Sequence, residues 1–411
     1  MNTLLELSEM EFADTEMTPE ILPVDARLSI HGSVSSLIEL FERAVAVAPV
    51  KEIIRGTSFI LLEAFESTAN ELSYVQITAT DGEQSIAVLN DTLTVNMAGA
   101  ALLPGKRVLD ILKLAPSDAV RLDVLGNTAT IHSERAVWTV QTPVGDSLPP
   151  FPDVNGITLH QVDRKALLEA LEVARKAVAT TTARTSLMQA EIKNGAITAC
   201  DSARVHRKVI EGFPTSLNFT LPVRTMDEAI RALKASDSEF IELGCSISTF
   251  VMRLGQDILI GQRLVVPFPD VEQLLMAPAM MNTAELTVNT QELSAIVRRV
   301  RINADTDFSA IFLAILPTKT DTKWTLAVRA RDRSGNTSQE TMDVLFTGGT
   351  KAREICVNHR YLFDLLSCYE EEFGVIKLGE DTKTKKSPIL IEDSVTGFTA
   401  VLAQMAPNLL R

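Results

Sequence analysis

The chain holds little of what metal and covalent chemistry need. Its 411 residues include four cysteines, Cys200, Cys245, Cys356 and Cys368, with no paired spacing. That pattern suits reduced, buried thiols in a cytoplasmic protein better than a disulfide framework or a zinc site. The five histidines, His31, His132, His160, His206 and His359, are scattered without metal-ligand spacing. No Gly-x-x-x-x-Gly-Lys-Ser/Thr loop, Gly-x-Gly-x-x-Gly turn or Gly-x-Ser-x-Gly elbow occurs, so the usual frames for a phosphate, a dinucleotide or an acyl-enzyme are missing. Cys200, Asp201 and His206 lie close together but match no local nucleophile signature, and a turn after a strand accounts for them. These absences argue against an enzyme, and no cofactor or metal is expected. No apolar run has the length needed to span a bilayer. The acidic start (Glu6, Glu9, Glu11, Asp14, Glu16) is unlike a secretory signal, and residues 1–25 read as a flexible extension.

What the chain does have is repetition. Phe-Pro-Asp-Val occurs at Phe151–Val154 and again at Phe268–Val271, and each copy closes a stretch of similar pattern. A reused unit points to a repeat architecture. Helix-like segments of one kind recur at Ser36–Val45, Arg164–Val178 and Gln291–Ile302. In the second, Leu167, Leu168, Leu171, Ala174 and Val178 follow helical spacing; in the third, Leu293, Ile296, Val297 and Val300 do. Segments of a second kind open at Pro104, Pro222 and Asn358. Proline is tolerated at a helix start because its missing N–H would be unpaired there, and Asn caps the same orphan groups. Each opening is followed by one apolar stripe: Val108, Ile111 and Leu112; Met226, Ala229 and Ile230; Leu362, Leu365 and Leu366. Between the helices lie short β-like runs, among them Ser58–Phe65, Val75–Ala79, Ser85–Leu89, Val120–Val124, Thr128–His132, Val137–Thr142, Glu239–Leu243, Thr249–Leu254, Trp324–Ala330, Val375–Leu378 and Ile389–Glu392. Many end at turn signals such as Asp81-Gly82 and Asn194-Gly195. The expected fold is α+β, with three tandem domains, each of β-sheets packed on two helices: domain 1 at 26–155, domain 2 at 156–277 and domain 3 at 278–411.

The net charge of −14 argues against a simple coat on nucleic acid. Acidic residues gather in the first 25 positions and at Glu370-Glu371-Glu372. Basic residues gather on or beside the helical segments: Lys51, Lys106, Arg107, Arg175, Lys176, Arg224, Arg231, Lys234, Arg298, Arg299 and Arg301. An acidic protein with basic helices can present one positive face to phosphates. A solvated helix face is the plainer reading of any one of these residues; their recurrence on equivalent helices favours the first.

Several segments together resemble the bacterial DNA polymerase III β sliding clamp family. They are Leu102-Leu-Pro-Gly-Lys-Arg-Val-Leu-Asp-Ile-Leu-Lys-Leu-Ala-Pro116, the two Phe-Pro-Asp junctions, Ile197-Thr-Ala-Cys-Asp-Ser-Ala-Arg204, and Glu354-Ile-Cys-Val-Asn-His-Arg-Tyr-Leu-Phe-Asp-Leu-Leu366. The similarity covers about residues 26–405, and it lies in the order and spacing of motifs that are each weak alone. It implies a head-to-tail homodimer in which each chain forms half of a closed six-domain ring. Helices would line a hole that holds double-stranded DNA without regard to sequence, and Trp138 and Ile302 would meet across the dimer joint. It also implies a peptide-binding pocket for a replicative DNA polymerase and a clamp loader. Carried over by motif, that pocket would use Arg184, Ser186, Leu187, Cys200, Ser202, Ala203, Arg204, Val205, Pro269, Gln273, Leu274, Phe308, Asn358, Tyr361, Val401, Leu402, Ala403 and Met405. The sequence departs from the family at Ser202-Ala203-Arg204-Val205, where Gly-His-Arg-Leu is usual. It departs again at Gln273, where a rim Arg is usual, and in a longer tail after Met405. It thus resembles a divergent member, of bacterial or bacteriophage origin. Two other readings stay open at this point: a dimeric β-rich adaptor that binds peptides and encircles no DNA, and a hydrolase of unfamiliar type.

Overall fold

The computed structural model describes residues 27–49, 54–66, 73–143, 146–264, 266–273, 275, 282–318, 324–348, 351–379, 387–393 and 395–405. The expected N-terminal extension and Lys51 lie outside these residues, as does Leu274. The chain falls into two compact units, residues 1–157 with 251–262, and residues 158–250 with 263–411.

In the first unit the described elements are β1 (Arg27–Ser33), α1 (Val34–Val47), β2 (Ile60–Phe65), β3 (Tyr74–Thr80), β4 (Gln84–Asn90), β5 (Thr94–Met97), β6 (Gly99–Leu103), α2 (Gly105–Leu112), β7 (Ala119–Leu125), β8 (Thr128–Ser133) and β9 (Ala136–Gln141), joined by β17 (Asp257–Gln262) from later in the chain. One antiparallel sheet runs β5-β1-β7-β8-β9, and a second series runs β17-β4-β3-β2-β6. Strand β7 alternates as a half-buried strand should, with Val120, Leu122 and Val124 inward. Helix α1 buries Leu37, Leu40, Phe41, Ala44 and Val47, one stripe at helical spacing. The late strand is tied in by charge: Arg43 Nη1 of α1 lies 2.5 Å from Asp257 Oδ2, and Asp257 Oδ1 accepts from the Leu89 N–H at 2.9 Å.

The second unit contains β10 (Leu159–Asp163), α3 (Arg164–Arg175), β11 (Gln189–Lys193), β12 (Ala196–Cys200), β13 (Arg204–Val209), β14 (Phe219–Pro222), α4 (Val223–Ala235), β15 (Phe240–Cys245), β16 (Thr249–Leu254), which ends in the first unit, β18 (Asn282–Asn289), α5 (Thr290–Val300), β19 (Ala310–Pro317), β20 (Trp324–Arg331), β21 (Thr337–Thr347), β22 (Arg353–Asn358), α6 (His359–Leu366), β23 (Phe373–Gly379), β24 (Ile389–Asp393) and β25 (Phe398–Leu402). Its main sheet is ordered β14-β11-β12-β13-β25-β24-β23-β18-β21-β20-β19-β22. The pair β13·β25 couples the early and late halves of this unit, with Val205 opposite Val401.

One strand-to-helix junction occurs three times. Ser33, Asp163 and Asn289 end β1, β10 and β18, and each caps the helix that follows: Ser33 accepts from the Ser36 N–H at 3.0 Å, Asp163 from Ala166 at 2.7 Å and Asn289 from Glu292 at 2.9 Å. The second helices begin after Pro104, Pro222 and Asn358. The two prolines sit at the cap position, the place that Asn358 takes in the third copy. The Phe-Pro-Asp-Val repeat has a local basis too. In both copies the Asp side chain accepts from the backbone N–H two residues on, Asp153 from Asn155 at 2.8 Å and Asp270 from Glu272 at 3.1 Å. Such a turn satisfies the backbone without a ladder.

Candidate peptide site and basic helices

The end of β12, the loop 201–203 and the start of β13 form one wall of the candidate site. Asp201 shapes the loop: its Oδ1 accepts from the Ala203 N–H at 2.7 Å and the Arg204 N–H at 2.9 Å. The structure therefore puts a turn where Cys200-Asp201 invited a nucleophile reading. Burial, with Asp201 and Glu191 nearby, pushes the Cys200 thiol up to about 12, so it is no thiolate nucleophile near neutrality.

Leu187, Cys200, Val205, Val271, Leu275, Leu390 and Val401 pack into one apolar cluster, with Ala179 and Phe268 against it. Leu187, Cys200, Val205 and Val401 are four of the expected pocket residues, and the fold brings them together from four separate segments. Val271, Leu275, Leu390 and Phe268 were not expected there. Phe268 and Val271 are the first and last letters of the second repeat, a signal read only as a domain junction. Leu390 lies opposite Val401 in the pair β24·β25, a register that sequence does not disclose. Leu402 does not belong to this cluster. It is buried in the core that holds Leu293, Leu362 and Phe398, because successive residues of β25 face opposite ways.

The polar rim is already occupied. Arg204, 9% exposed along its side chain, reaches Asp201 Oδ2 at 3.1 Å and Asp364 Oδ2 at 2.7 Å. Its guanidinium lies 4.2 Å from the Tyr361 ring centroid. Arg204 thus ties the loop to α6, and Asp364 is a partner that the motif comparison missed. Arg207 Nη1 holds Glu272 Oε1 at 2.8 Å, anchoring the segment after the second repeat to β13. Asn358 Nδ2 donates to the Phe308 carbonyl oxygen at 3.4 Å. Arg184, Ser202 and Gln273 are exposed, while Ser186 and Pro269 are half-buried.

Behind the loop, His206 is fully buried, with Nδ1 3.1 Å from the Val173 carbonyl oxygen and its ring edge-on to Phe398. Burial lowers its pKa to about 3. A lowered histidine binds its proton better in the unfolded chain. Its contribution to stability is therefore complete above the unfolded value of 6.5 and lost as pH falls from 6.5 toward 3. The unfolding free energy from urea titrations should drop over that window by an amount on the order of a few kcal/mol. His206→Phe should flatten the drop; an unchanged slope between pH 6.5 and 4 would remove His206 from the account.

Among the described residues, the cations expected on the helices lie exposed or half-buried. Sequence suggests a row of open charges, yet many are matched within the chain. Lys106 Nζ lies 3.1 Å from Asp110 Oδ1, Arg175 Nε 2.5 Å from Asp227 Oδ1, Lys234 Nζ 2.6 Å from Glu172 Oε1 and Arg299 Nη2 2.5 Å from Glu340 Oε1. Arg231 pairs with Glu228. Lys176 donates to Ser367 Oγ at 2.9 Å, and Arg298 lies over the Phe363 ring. Arg107 and Arg301 are exposed and make no ion pair among the described residues. Exposed pairs are worth only about 0–1 kcal/mol, so a phosphate can compete for these side chains. Trp138 sits half-buried on β9, the edge of its sheet, and Ile302 is 80% exposed just past α5.

No family model matches the chain. A beta sliding clamp from Staphylococcus epidermidis is 24% identical over 239 residues, 55% of this chain and 63% of that protein, so the match spans less than two thirds of the relative. Among solved structures, a DNA polymerase sliding clamp from Bacillus subtilis superposes with a TM-score of 0.79 at 16% identity, covering 93% of this chain and 100% of the other. The beta subunit from DNA polymerase of Streptococcus pyogenes gives 0.79 at 19% identity, covering 92% and 99%. The likeness establishes the α+β fold of these structures for this chain.

Proposed function

We propose that this protein is a DNA sliding clamp: a non-enzymatic processivity factor that encircles duplex DNA and tethers a replicative polymerase. The observation that carries the reading is agreement of fold with clamp structures over 92–93% of the chain. In this reading the chain has three clamp domains, at 26–155, 156–277 and 278–411, and two chains close head-to-tail into a ring in the cytoplasm. Edge strand β9 with Trp138 and the exposed Ile302 supply the joint; an open sheet edge and an exposed apolar residue both gain from being covered. Cations of the helices hold phosphates without reading bases, which leaves the ring free to slide. The apolar cluster around Leu187 takes the side-chain anchors of a peptide from the polymerase or the clamp loader.

The dimer should have a mass of about 90 kDa, twice the 44.9 kDa chain. Loaded protein should stay on circular DNA and run off linear DNA with free ends. Equal retention on both would sink the ring and leave the peptide-binding adaptor. Replacing Arg107, Lys176, Arg298 and Arg301 together by Ala should weaken retention alike on all sequences. It should also reduce the slope of log affinity against log salt by about 0.9 for each phosphate no longer neutralised. An unchanged salt slope would show that these four side chains do not meet phosphates.

A further inference from the structure

Between α5 and the end of α6 the described residues leave a cleft of about 270 Å³, walled by Ser294 and Arg298 on one side and by Leu366 and Tyr369 on the other. A water takes about 30 Å³, so the cleft has room for several, and a group of phosphate size can enter in their place. Ser294 and Arg298 stand four residues apart and lie on one face of α5. Ser294 is half-buried and Arg298 exposed.

Other polar groups around this cleft are committed within the chain. Thr290 Oγ1 donates to the carbonyl oxygens of Glu371 and Glu372 at 2.8 and 3.2 Å, and Tyr369 Oη to that of Glu392 at 2.7 Å. Ser294 and Arg298 differ: among the described residues neither side chain makes a hydrogen bond or an ion pair. Arg175, Arg231, Lys234 and Arg299 each face a carboxylate, whereas the Arg298 guanidinium lies 4.7 Å from the centroid of the Phe363 ring. A ring face holds a guanidinium in place and leaves its planar set of N–H donors open. Charge also gives the cleft a direction. Glu371 and Glu372 are exposed at the Thr290 end, where Asn289 Nδ2 donates to Glu372 Oε1 at 3.1 Å. An anion is repelled there and drawn to Arg298, about two turns further along α5.

We propose, resting on the reading of these helices as the surface that meets DNA, that Arg298 and Ser294 seat one phosphate of a DNA strand, with Phe363 as the positioning residue for the guanidinium. A guanidinium offers paired donors that match phosphate oxygens, and the Ser294 hydroxyl offers one more. The acidic end keeps a strand from running along α5, so the strand crosses the helix at Arg298. The seat meets no base edge and is blind to sequence.

The test titrates the full chain into two fluorescent linear duplexes, one rich in A·T and one in G·C, over a series of salt concentrations. Arg298→Ala should lower the slope of log affinity against log salt by about 0.9 on both duplexes. Ser294→Ala removes a neutral donor and releases no counterion; it should weaken binding about fivefold with the slope unchanged. Phe363→Leu should weaken binding about threefold, again at constant slope. Gln291→Ala, at the acidic end of the same cleft, should change neither. An unchanged slope in Arg298→Ala, an unchanged affinity in Ser294→Ala, or a loss in Gln291→Ala as large as in Ser294→Ala would each overturn the proposal. Duplex binding intact in all variants, with only loader-dependent loading impaired, would assign the cleft to a protein partner and overturn it too. If the unsubstituted chain binds neither duplex, the DNA reading falls and the seat with it; if it binds and the variants match it, only the seat falls.

Discussion

Replacing Leu187 with Asp should weaken binding of a Gln-, Leu- and Phe-rich peptide at least about 100-fold while leaving the chain folded and its oligomeric state intact. Leu187 is 6% exposed and packs with Cys200, Val205, Val271, Leu275, Leu390 and Val401. A carboxylate there has no cation to meet within the cluster, and an unpaired charge in apolar surroundings costs several kcal/mol. The short turn Thr185–Leu187 can relieve the strain by swinging the side chain outward, which empties the floor of the site. Either outcome removes the surface that apolar anchors would use, and a 100-fold loss corresponds to about 2.7 kcal/mol. Leu187→Met conserves volume and should cost less than about 1.5 kcal/mol of stability, with affinity nearly kept. Titrating the labelled peptide against both variants decides the matter. Undiminished affinity in Leu187→Asp would put the site elsewhere.

The second large effect is on stability. Asp257→Ala should destabilise the first unit by about 3–5 kcal/mol. Asp257 and Arg43 are 15% and 14% exposed along their side chains. Losing the carboxylate leaves the guanidinium shielded from water without a counter-charge, and Arg43 Nε already has no hydrogen-bond partner among the described residues. It also strips the Leu89 N–H of its acceptor. Asp257→Asn keeps an acceptor for Leu89 and should cost less than Ala. Trp138 lies in the first unit and Trp324 in the second, so urea unfolding followed by tryptophan emission in a Trp324→Phe background reads the first unit alone. A midpoint within error of the parent would show that β17 is held by its ladder to β4 and not by the ion pair.

The helices show how far local pattern reaches. Arg164–Val178 is expected from its stripe and observed at Arg164–Arg175; Gln291–Ile302 is expected and Thr290–Val300 observed. A stripe at helical spacing with a Ser, Asp or Asn before it is complete within a dozen residues, so sequence suffices. Strands divide by type. Those that alternate or are rich in β-branched residues, such as Val120–Val124 and Ile389–Glu392, stand within a residue or two of their expected places. Strand β19 reads Ala-Ile-Phe-Leu-Ala-Ile-Leu-Pro and is not among the expected runs. It is continuously apolar, with no period to separate strand from helix. Strand β1, Arg27–Ser33, is not among them either. Leu28 and Ile30 alternate inward, but two apolar residues make too short a pattern to stand out, and pairing with β5 and β7 completes the strand.

For the candidate site, residue types are legible in the sequence and relations are not. Composition and missing motifs, without any coordinates, directed attention away from catalysis and toward binding. The repeated junctions and stripes pointed to an α+β repeat, because caps and helical periodicity act over a few residues. Only the tertiary structure decided that Arg204 is bound to Asp364, 160 residues away, and that Arg43 holds Asp257, 214 residues away. It alone turned Val401 toward Leu187 and Leu402 toward the opposite core, and matched many of the helix cations with carboxylates. Such pairings depend on strand register and on which surfaces meet. Those are properties of the folded chain as a whole: a shift of one residue in register reverses every side chain on a strand, while local composition stays the same.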